Sequence, residues 1–201
     1  RSSSSFWSGD RTVNAQLGSV NRLYYRVMAL GIDYARQDCS LARALELVGE
    51  RWTMLIVRDC FFGVRRFGDF QVHLDISKAV LAQRLGALVD AGLLERRARA
   101  FEGGHDDYVP TAALERLWPA VFALSYWGEE QTAKPAGKRR RFMHAPCGTD
   151  LGPLGMCPEC GVAPGPHDID TDIGPGYDPD TRSDDVSMHL RTRRRLLTRL
   201  R

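Results

Sequence analysis

No apolar run in these 201 residues approaches the length of a membrane span, so no membrane partner is expected. Residues 1–27 open on a serine run and hold neither a signal-peptide apolar region nor a clear helical stripe before Leu23. We expect residues 1–37 to be an N-terminal extension, partly disordered or not native, with Met28 as the natural start. Cysteine is scarce and odd in number: five, two of them in a CPEC motif. That excludes a disulfide scaffold and points to thiols and a metal in a reducing cytoplasm. Charge of one sign is missing too. Lys and Arg total 28 against 25 Asp and Glu, and a net charge of +3 does not by itself mark a nucleic-acid binder.

What is present is a distribution. Basic residues gather at Arg65 and Arg66, from Arg96 to Arg99, from Lys138 to Arg141 and at the C-terminus, while Asp accumulates between Asp168 and Asp185. With 43% hydrophobic residues in Leu-rich helical runs, the expected fold is mainly α, with one good core and a small appendage.

The stretch from Ile76 to Ala100, ISKAVLAQRLGALVDAGLLERRARA, carries most of the functional signal. Ser77 can accept a hydrogen bond from a first-turn amide, so a helix is predicted from Lys78. Leu81, Leu85, Leu88 and Val89 fall on one stripe at three-and-four spacing and face a core. Lys78, Ala79, Ala82, Gln83 and Gly86 form an outer face that is small, polar and free of acid, the kind a major groove accepts. Gly92 marks the helix end, and from Leu93 the pattern becomes extended. After the turn Glu102-Gly103-Gly104, Asp107 to Pro110 returns as a second strand and closes a hairpin, or wing, whose arginines can reach phosphates.

Upstream, Leu41, Leu45 and Val48 predict a first helix ended by Gly49, and Trp52 to Phe61 a second with Trp52, Leu55, Ile56 and Cys60 inward. Phe67 to Val72 reads as the first helix of a helix-turn-helix, with Phe67 and Phe70 in the core and His73 to Ile76 as the turn. Downstream, Thr111 can cap a long helix running to Gln131, kinked at Pro119 or starting there. Its apolar residues, from Leu114 to Trp127, exceed what a monomer needs and suggest a partner subunit.

Three runs, CSLARALELVGERWTMLIVRDCFFGVRRFGDF, SKAVLAQRLGALVDAGLLERR and LWPAVFALSYWG, lie in this order over about Asp38 to Glu130 and together resemble the HxlR family of bacterial winged helix-turn-helix regulators. The resemblance implies a winged-helix domain over 38–131 and a homodimer through its first and last helices. It also implies double-stranded operator DNA as partner, and control of transcription by repression rather than activation. Some members sense electrophiles or oxidants through a cysteine just ahead of the first helix, where Cys39 stands. The helix N-terminus would favour its thiolate, although many such cysteines are inert packing residues. A small-molecule or oxidant effector fits this family.

Candidate DNA contacts are Ser77, Lys78, Gln83 and Arg84 on the recognition helix. Arg65, Arg66, Arg96, Arg97 and Arg99 are assigned to phosphate, against the plain reading of solvated surface charge. A second constellation, FMHAPCGTDLGPLGMCPECG, spaces His144, Cys147, Cys157 and Cys160 as H-x2-C-x9-C-x2-C. Two short-spaced pairs of N and S ligands suit a tetrahedral structural zinc ion (Zn2+), and the surrounding Gly and Pro suit the tight turns of a zinc ribbon. The fourth ligand stays open between His144, His167 and water. The expected layout is therefore a winged helix, a basic linker over 132–141, a zinc-ribbon-like module over 142–166, and an acidic disordered linker with a basic C-terminal tail over 167–201. That tail is either solvated or a short basic amphipathic helix, with Leu190, Leu196, Leu197 and Leu200, that touches DNA or docks on the protein. A DNA-binding regulator, not an enzyme, is the reading that follows; a protein-interaction adaptor or a zinc enzyme are the alternatives.

Overall fold

The computed structural model describes Tyr34 and residues 36–98 and 106–200. Two compact units are present, Arg1–Glu46 and Leu47–Arg201. Helix α1, Ser40–Val48, buries Ala42 and Val48 but leaves Leu41 and Leu45 exposed, so the stripe expected to face a core is largely on the surface.

From Leu47 onward the winged helix follows the expected order: α2 (Thr53–Phe61), α3 (Phe67–Leu74), α4 (Lys78–Asp90), β1 (Leu94–Arg97), β2 (Asp107–Pro110), α5 (Ala112–Glu115) and α6 (Trp118–Gln131). Helix α2 sends Ile56, Val57, Cys60 and Phe61 inward, whereas Leu55, expected inside, is exposed. Between α3 and α4 the chain turns through Asp75 in the left-handed conformation (φ 52°), and its amide bonds back to the Gln71 carbonyl. The hydroxyl of Ser77 then accepts from the Val80 amide at 3.3 Å, and α4 buries Leu81, Leu85 and Leu88 along one stripe. Strands β1 and β2 pair antiparallel, from Leu94 opposite Pro110 to Arg97 opposite Asp107. Thr111 accepts from the Leu114 amide as expected, but the helix it caps ends at Glu115. Helix α6 starts afresh with Pro119 in its first turn, where a missing amide leaves no bond unmade.

The largest departure from expectation lies beyond Gln131. Residues 132–141 are not a free linker, and 167–200 are neither disordered nor a solvated tail. Strands β3 (Arg140–His144), β4 (Ile169–Ile173) and β5 (Arg194–Arg195) form an antiparallel sheet in that order, with a 3-10 turn at Pro166–Asp168 and a short helix α7 (Asp185–His189). The β3–β4 register runs from Arg140 opposite Ile173 to His144 opposite Ile169. Ile169, Val186, Leu190, Leu196 and Leu200 are buried in one cluster with the winged-helix residues Phe61, Phe62 and Trp118. Phe142 from β3 meets the rings of Trp118 (5.3 Å) and Phe122 (5.7 Å).

Opposite charges explain why composition misleads here. Asp170 takes Arg193 at 2.9 Å and Arg195 at 2.6 Å, Asp184 takes Arg182 at 3.0 Å, and Arg199 reaches Asp107 at 2.6 Å. Asp170 thus ties the acidic run to the basic tail, Arg182 pairs within the acidic run and Arg199 reaches the wing, while Ile169, Val186, Leu190, Leu196 and Leu200 join the core. The last residues are fastened to the turn after α2. The Leu197 amide donates to Phe61 O (2.7 Å) and the Leu200 amide to Gly63 O (2.8 Å).

Gly63 has φ 92°, and a Cβ there would run into the Thr198 carbonyl oxygen. Gly63→Ala is therefore expected to destabilise the protein by about 2 kcal/mol or more. Gly128→Ala, in open space on α6, is expected to gain about 0.5–1 kcal/mol. Chemical denaturation of the two variants beside the parent protein checks both signs.

Candidate nucleic-acid interface and metal centre

The outer face of α4 presents Lys78, Ala79, Ala82, Gln83 and Gly86 to solvent, with no acidic residue among them. Ser77 is exposed and holds the helix start through its cap. The other predicted contacts divide. Arg96 and Arg97 on β1 are turned to solvent, at 58% and 64% side-chain exposure. Their partners are the surface carboxylates of Asp106 (3.0 Å) and Glu95 (3.1 Å), pairs weak enough to be exchanged for phosphate. Arg66 is half-buried at the N-terminus of α3 and bridges through its backbone to Asp107. Arg84 lies on the edge of the face, paired with Glu50 at 2.9 Å. Arg99 lies outside the described residues.

Arg65 is a correction. It is buried, and its guanidinium donates to the carbonyls of Cys60 (2.6 Å), Val64 (2.9 Å) and Leu197 (2.9 Å). Every one of those bonds would have to break before it met a phosphate, so its role is to join the α2–α3 turn to the C-terminal segment.

His144 ends β3, and Cys147, Cys157 and Cys160 lie on two turns of matching form. In each, the carbonyl of the first ligand accepts from the amide four residues on: His144 O from Gly148 N (2.7 Å), and Cys157 O from Gly161 N (2.9 Å). Both glycines are left-handed, with φ of 74° and 67°, which a side chain would strain. The Cys160 amide also points at the Cys157 sulfur, at 3.4 Å. The four ligand atoms all lie within 4.8 Å of one another, with Cys147 Sγ at 3.3 Å from His144 Nδ1 and 3.5 Å from Cys157 Sγ. A tetrahedral ion with bonds of about 2.0–2.3 Å needs ligand atoms roughly 3.5–3.8 Å apart, so this cluster can hold a metal ion. Hydrogen bonds from Thr149 hold the Cys147 thiol down at about 6, whereas its hydrogen bond with Cys147 pushes Cys160 up to about 11. Thr149 is a participant that no spacing rule identified. His167, weighed as an alternative ligand, is instead bonded to Glu115 at 3.0 Å.

Among the cysteines outside the cluster, Cys60 is fully buried and its thiol is pushed up to about 12 by that burial. Cys39 is exposed just ahead of α1, and hydrogen bonds from the Ala42 and Leu41 amides hold its thiol below the ordinary value.

Helix α3 packs on both α4 and α7. At that joint His73 Nδ1 lies 3.1 Å from Ser187 Oγ and 3.7 Å from Asp184, and its Nε2 lies 3.6 Å from Asp59. Burial pushes the imidazole below its ordinary value near 6.5. The attraction of Asp59 and Asp184 is offset by Arg58 and Arg182. The unfolded chain then binds the proton more readily than the folded one. Stability contributed by neutral His73 is full above about 6.5 and is lost as pH falls from there toward the depressed folded value. Melting temperature is expected to fall over that window, and to fall less in His73→Asn; parallel slopes for the two proteins would refute the assignment.

A model of the HxlR-like helix-turn-helix family matches residues 47–135. The uncharacterized HTH-type transcriptional regulator Rv3095 of Mycobacterium tuberculosis H37Rv is 39% identical over 138 residues, 69% of this chain and 87% of that protein. YtfH of Escherichia coli K12, described in the same words, is 33% identical over 94 residues, covering 46% and 75%. Among solved structures, the crystal structure of PA1607, proposed to be a transcription factor, superposes with a TM-score of 0.55. It is 31% identical, over 75% of this chain and 96% of that one.

Proposed function

Because this chain belongs to the HxlR-like helix-turn-helix family and is a transcriptional regulator of that type, we propose that it binds operator DNA as a homodimer and represses transcription. One observation carries the reading. Helix α4, capped by Ser77, turns an acid-free face with Lys78 and Gln83 outward, beside a wing strand whose Arg96 and Arg97 are solvent-facing. In this reading Gln83 pairs with a base edge in the major groove, Lys78 reaches guanine or phosphate, and Arg66, Arg96, Arg97 and Arg99 lie along phosphates. Arg84 serves only if it leaves Glu50. Dimerisation through the first and last helices is supported by the large apolar side chains they leave exposed, Leu41 and Leu45 on α1 and Leu124 and Trp127 on α6. An oxidant effector would act at the exposed Cys39 thiol.

We assign the metal as zinc in a structural role. Three sulfurs and one imidazole would supply all four positions of a tetrahedral ion from protein ligands, which argues against a zinc enzyme, whose ion keeps a position open for water or substrate. No helix among the described residues is long and apolar enough to cross a membrane.

Fluorescence anisotropy with the DNA flanking its own gene tests the interface. Lys78→Ala and Gln83→Ala are each expected to weaken specific binding by about tenfold or more. Arg97→Ala should instead reduce the salt slope by about one while leaving sequence preference intact. Undiminished binding by both helix variants would sink the recognition-helix assignment.

The metal has a separate readout. Native mass spectrometry is expected to find one zinc per chain in the parent protein and none in Cys157→Ser. Chelation should lower the melting temperature sharply, since ligation in small zinc domains contributes on the order of 10 kcal/mol.

A further inference from the structure

We propose that the cleft between α6 and the start of β3 is a binding site for a small aromatic carboxylate. It encloses about 440 Å³, within the range of small-molecule sites. Phe62, Phe122, Tyr126 and Phe142 line it, and their rings form one connected set. Phe122 is 5.7 Å from Phe142 and 6.0 Å from Tyr126, and Phe62 stacks on Phe142 at 6.5 Å. Such walls accept a flat apolar body and add edge-to-face contacts.

The charges select the rest of the ligand. Arg58, Lys138, Arg139, Arg140 and Arg141 line the cleft, against Glu129 and Asp150. Arg139 is paired with Glu129 (3.2 Å), Arg141 with Asp150 (3.0 Å), and Arg58 with the buried Asp59 just outside (2.7 Å). Two cations are left over. The guanidinium of Arg140 donates to neutral oxygens, Leu190 O (3.0 Å) and Thr171 Oγ1 (3.4 Å), and sits 4.7 Å from the Phe62 ring centre. Lys138 Nζ lies 4.5 Å from the Tyr126 ring centre. Neither has a carboxylate partner among the described residues. Burial, with Arg58 nearby, lowers the Arg140 guanidinium to about 10 against the attraction of Tyr177, Asp172 and Asp59, none of which pairs with it directly.

A carboxylate meets that deficit, because the planar fork of an arginine matches its two oxygens and an ammonium can take a third bond. A neutral apolar ligand would leave both cations uncompensated. Nucleic acid does not fit as well. The cleft is concave and ring-walled, and neither α4 nor the wing contributes a lining residue. An adjoining cleft of about 220 Å³ is also lined by Arg58 and Arg140 and extends to His73 on α3. An effect of the ligand on DNA affinity would travel that way; this consequence rests on the regulator reading, whereas the binding itself does not.

Isothermal titration of the full zinc-loaded chain, without DNA, tests the site with four probes: benzoate and 2-naphthoate, and their neutral counterparts benzamide and 2-naphthamide. At least one carboxylate is expected to bind with a Kd below about 1 mM and its amide about tenfold more weakly. Lys138→Gln and Arg140→Gln should each weaken the carboxylate by about fivefold or more with circular dichroism unchanged. Should Arg140→Gln lose its fold, Lys138→Gln alone decides, since that side chain is exposed. Equal affinity for acid and amide overturns the proposal, as does absence of binding by all four probes or carboxylate binding undiminished in the folded variants. Because no DNA is present, each of these failures leaves the operator-binding reading standing.

Discussion

The turn from Phe61 to Arg65 sets the direction in which α3 leaves α2, and its backbone is satisfied from the far end of the chain. Leu197 and Leu200 donate to the carbonyls of Phe61 and Gly63, and the buried Arg65 spans Cys60, Val64 and Leu197. Hydrogen bonds of this kind contribute modestly when made, about 1 kcal/mol each for neutral pairs and more where a charge takes part. Leaving the same groups buried and unpaired costs considerably more. The turn and the C-terminal segment are therefore each other's partners. Their mutual fit requires a left-handed Gly63, because a side chain would occupy the space of the Thr198 carbonyl.

Two helices of the DNA-reading element inherit their position from this arrangement. Helix α3 is held between α4 on one side and α7 on the other, with His73 bonded to Ser187 and Arg182 Nη2 donating to the Val72 carbonyl at 2.6 Å. The acid-free face of α4 is thus backed by a stack whose outer layer is the C-terminal segment.

Signals read within a few residues were legible in the sequence: the Ser77 and Thr111 caps, the α4 stripe, the hairpin from Leu94 to Pro110, and the H-x2-C-x9-C-x2-C spacing. Each depends on neighbours less than about twenty positions away. What stayed hidden depends on distant partners. Arg65 looks like a phosphate ligand beside Arg66 until Leu197, 132 positions later, supplies its acceptor. The acidic tract after Pro166 looks disordered taken alone, and its place in a folded layer depends on Asp170 meeting Arg193 and Arg195 more than twenty positions later. Leu41, Leu45 and Leu55 carry a helical period but not the direction of the core, and they are exposed. The basic stretch from Lys138 to Arg141 looks like part of a linker because nothing local indicates that Phe142 will anchor it among Trp118, Phe122 and Phe62.

Strand β3 links the chemistry of the two sites. His144 at its end belongs to the metal-binding cluster, Arg140 at its start lines the cationic cleft, and Phe142 between them inserts into the aromatic core of the winged helix. Three alternate residues on one strand lean to the same side of the sheet, so fixing either end restricts the other. A metal held by His144 and the three sulfurs would order the strand before any ligand reached Arg140, sparing that ligand part of the entropy of organising its site. By linkage the effect is mutual: a ligand that favours the ordered strand strengthens metal retention by the same factor. Because Ile169, Leu196 and Phe61 share one buried cluster, a metal held at one end of β3 or a ligand held at the other would also stabilise the helices that carry α4.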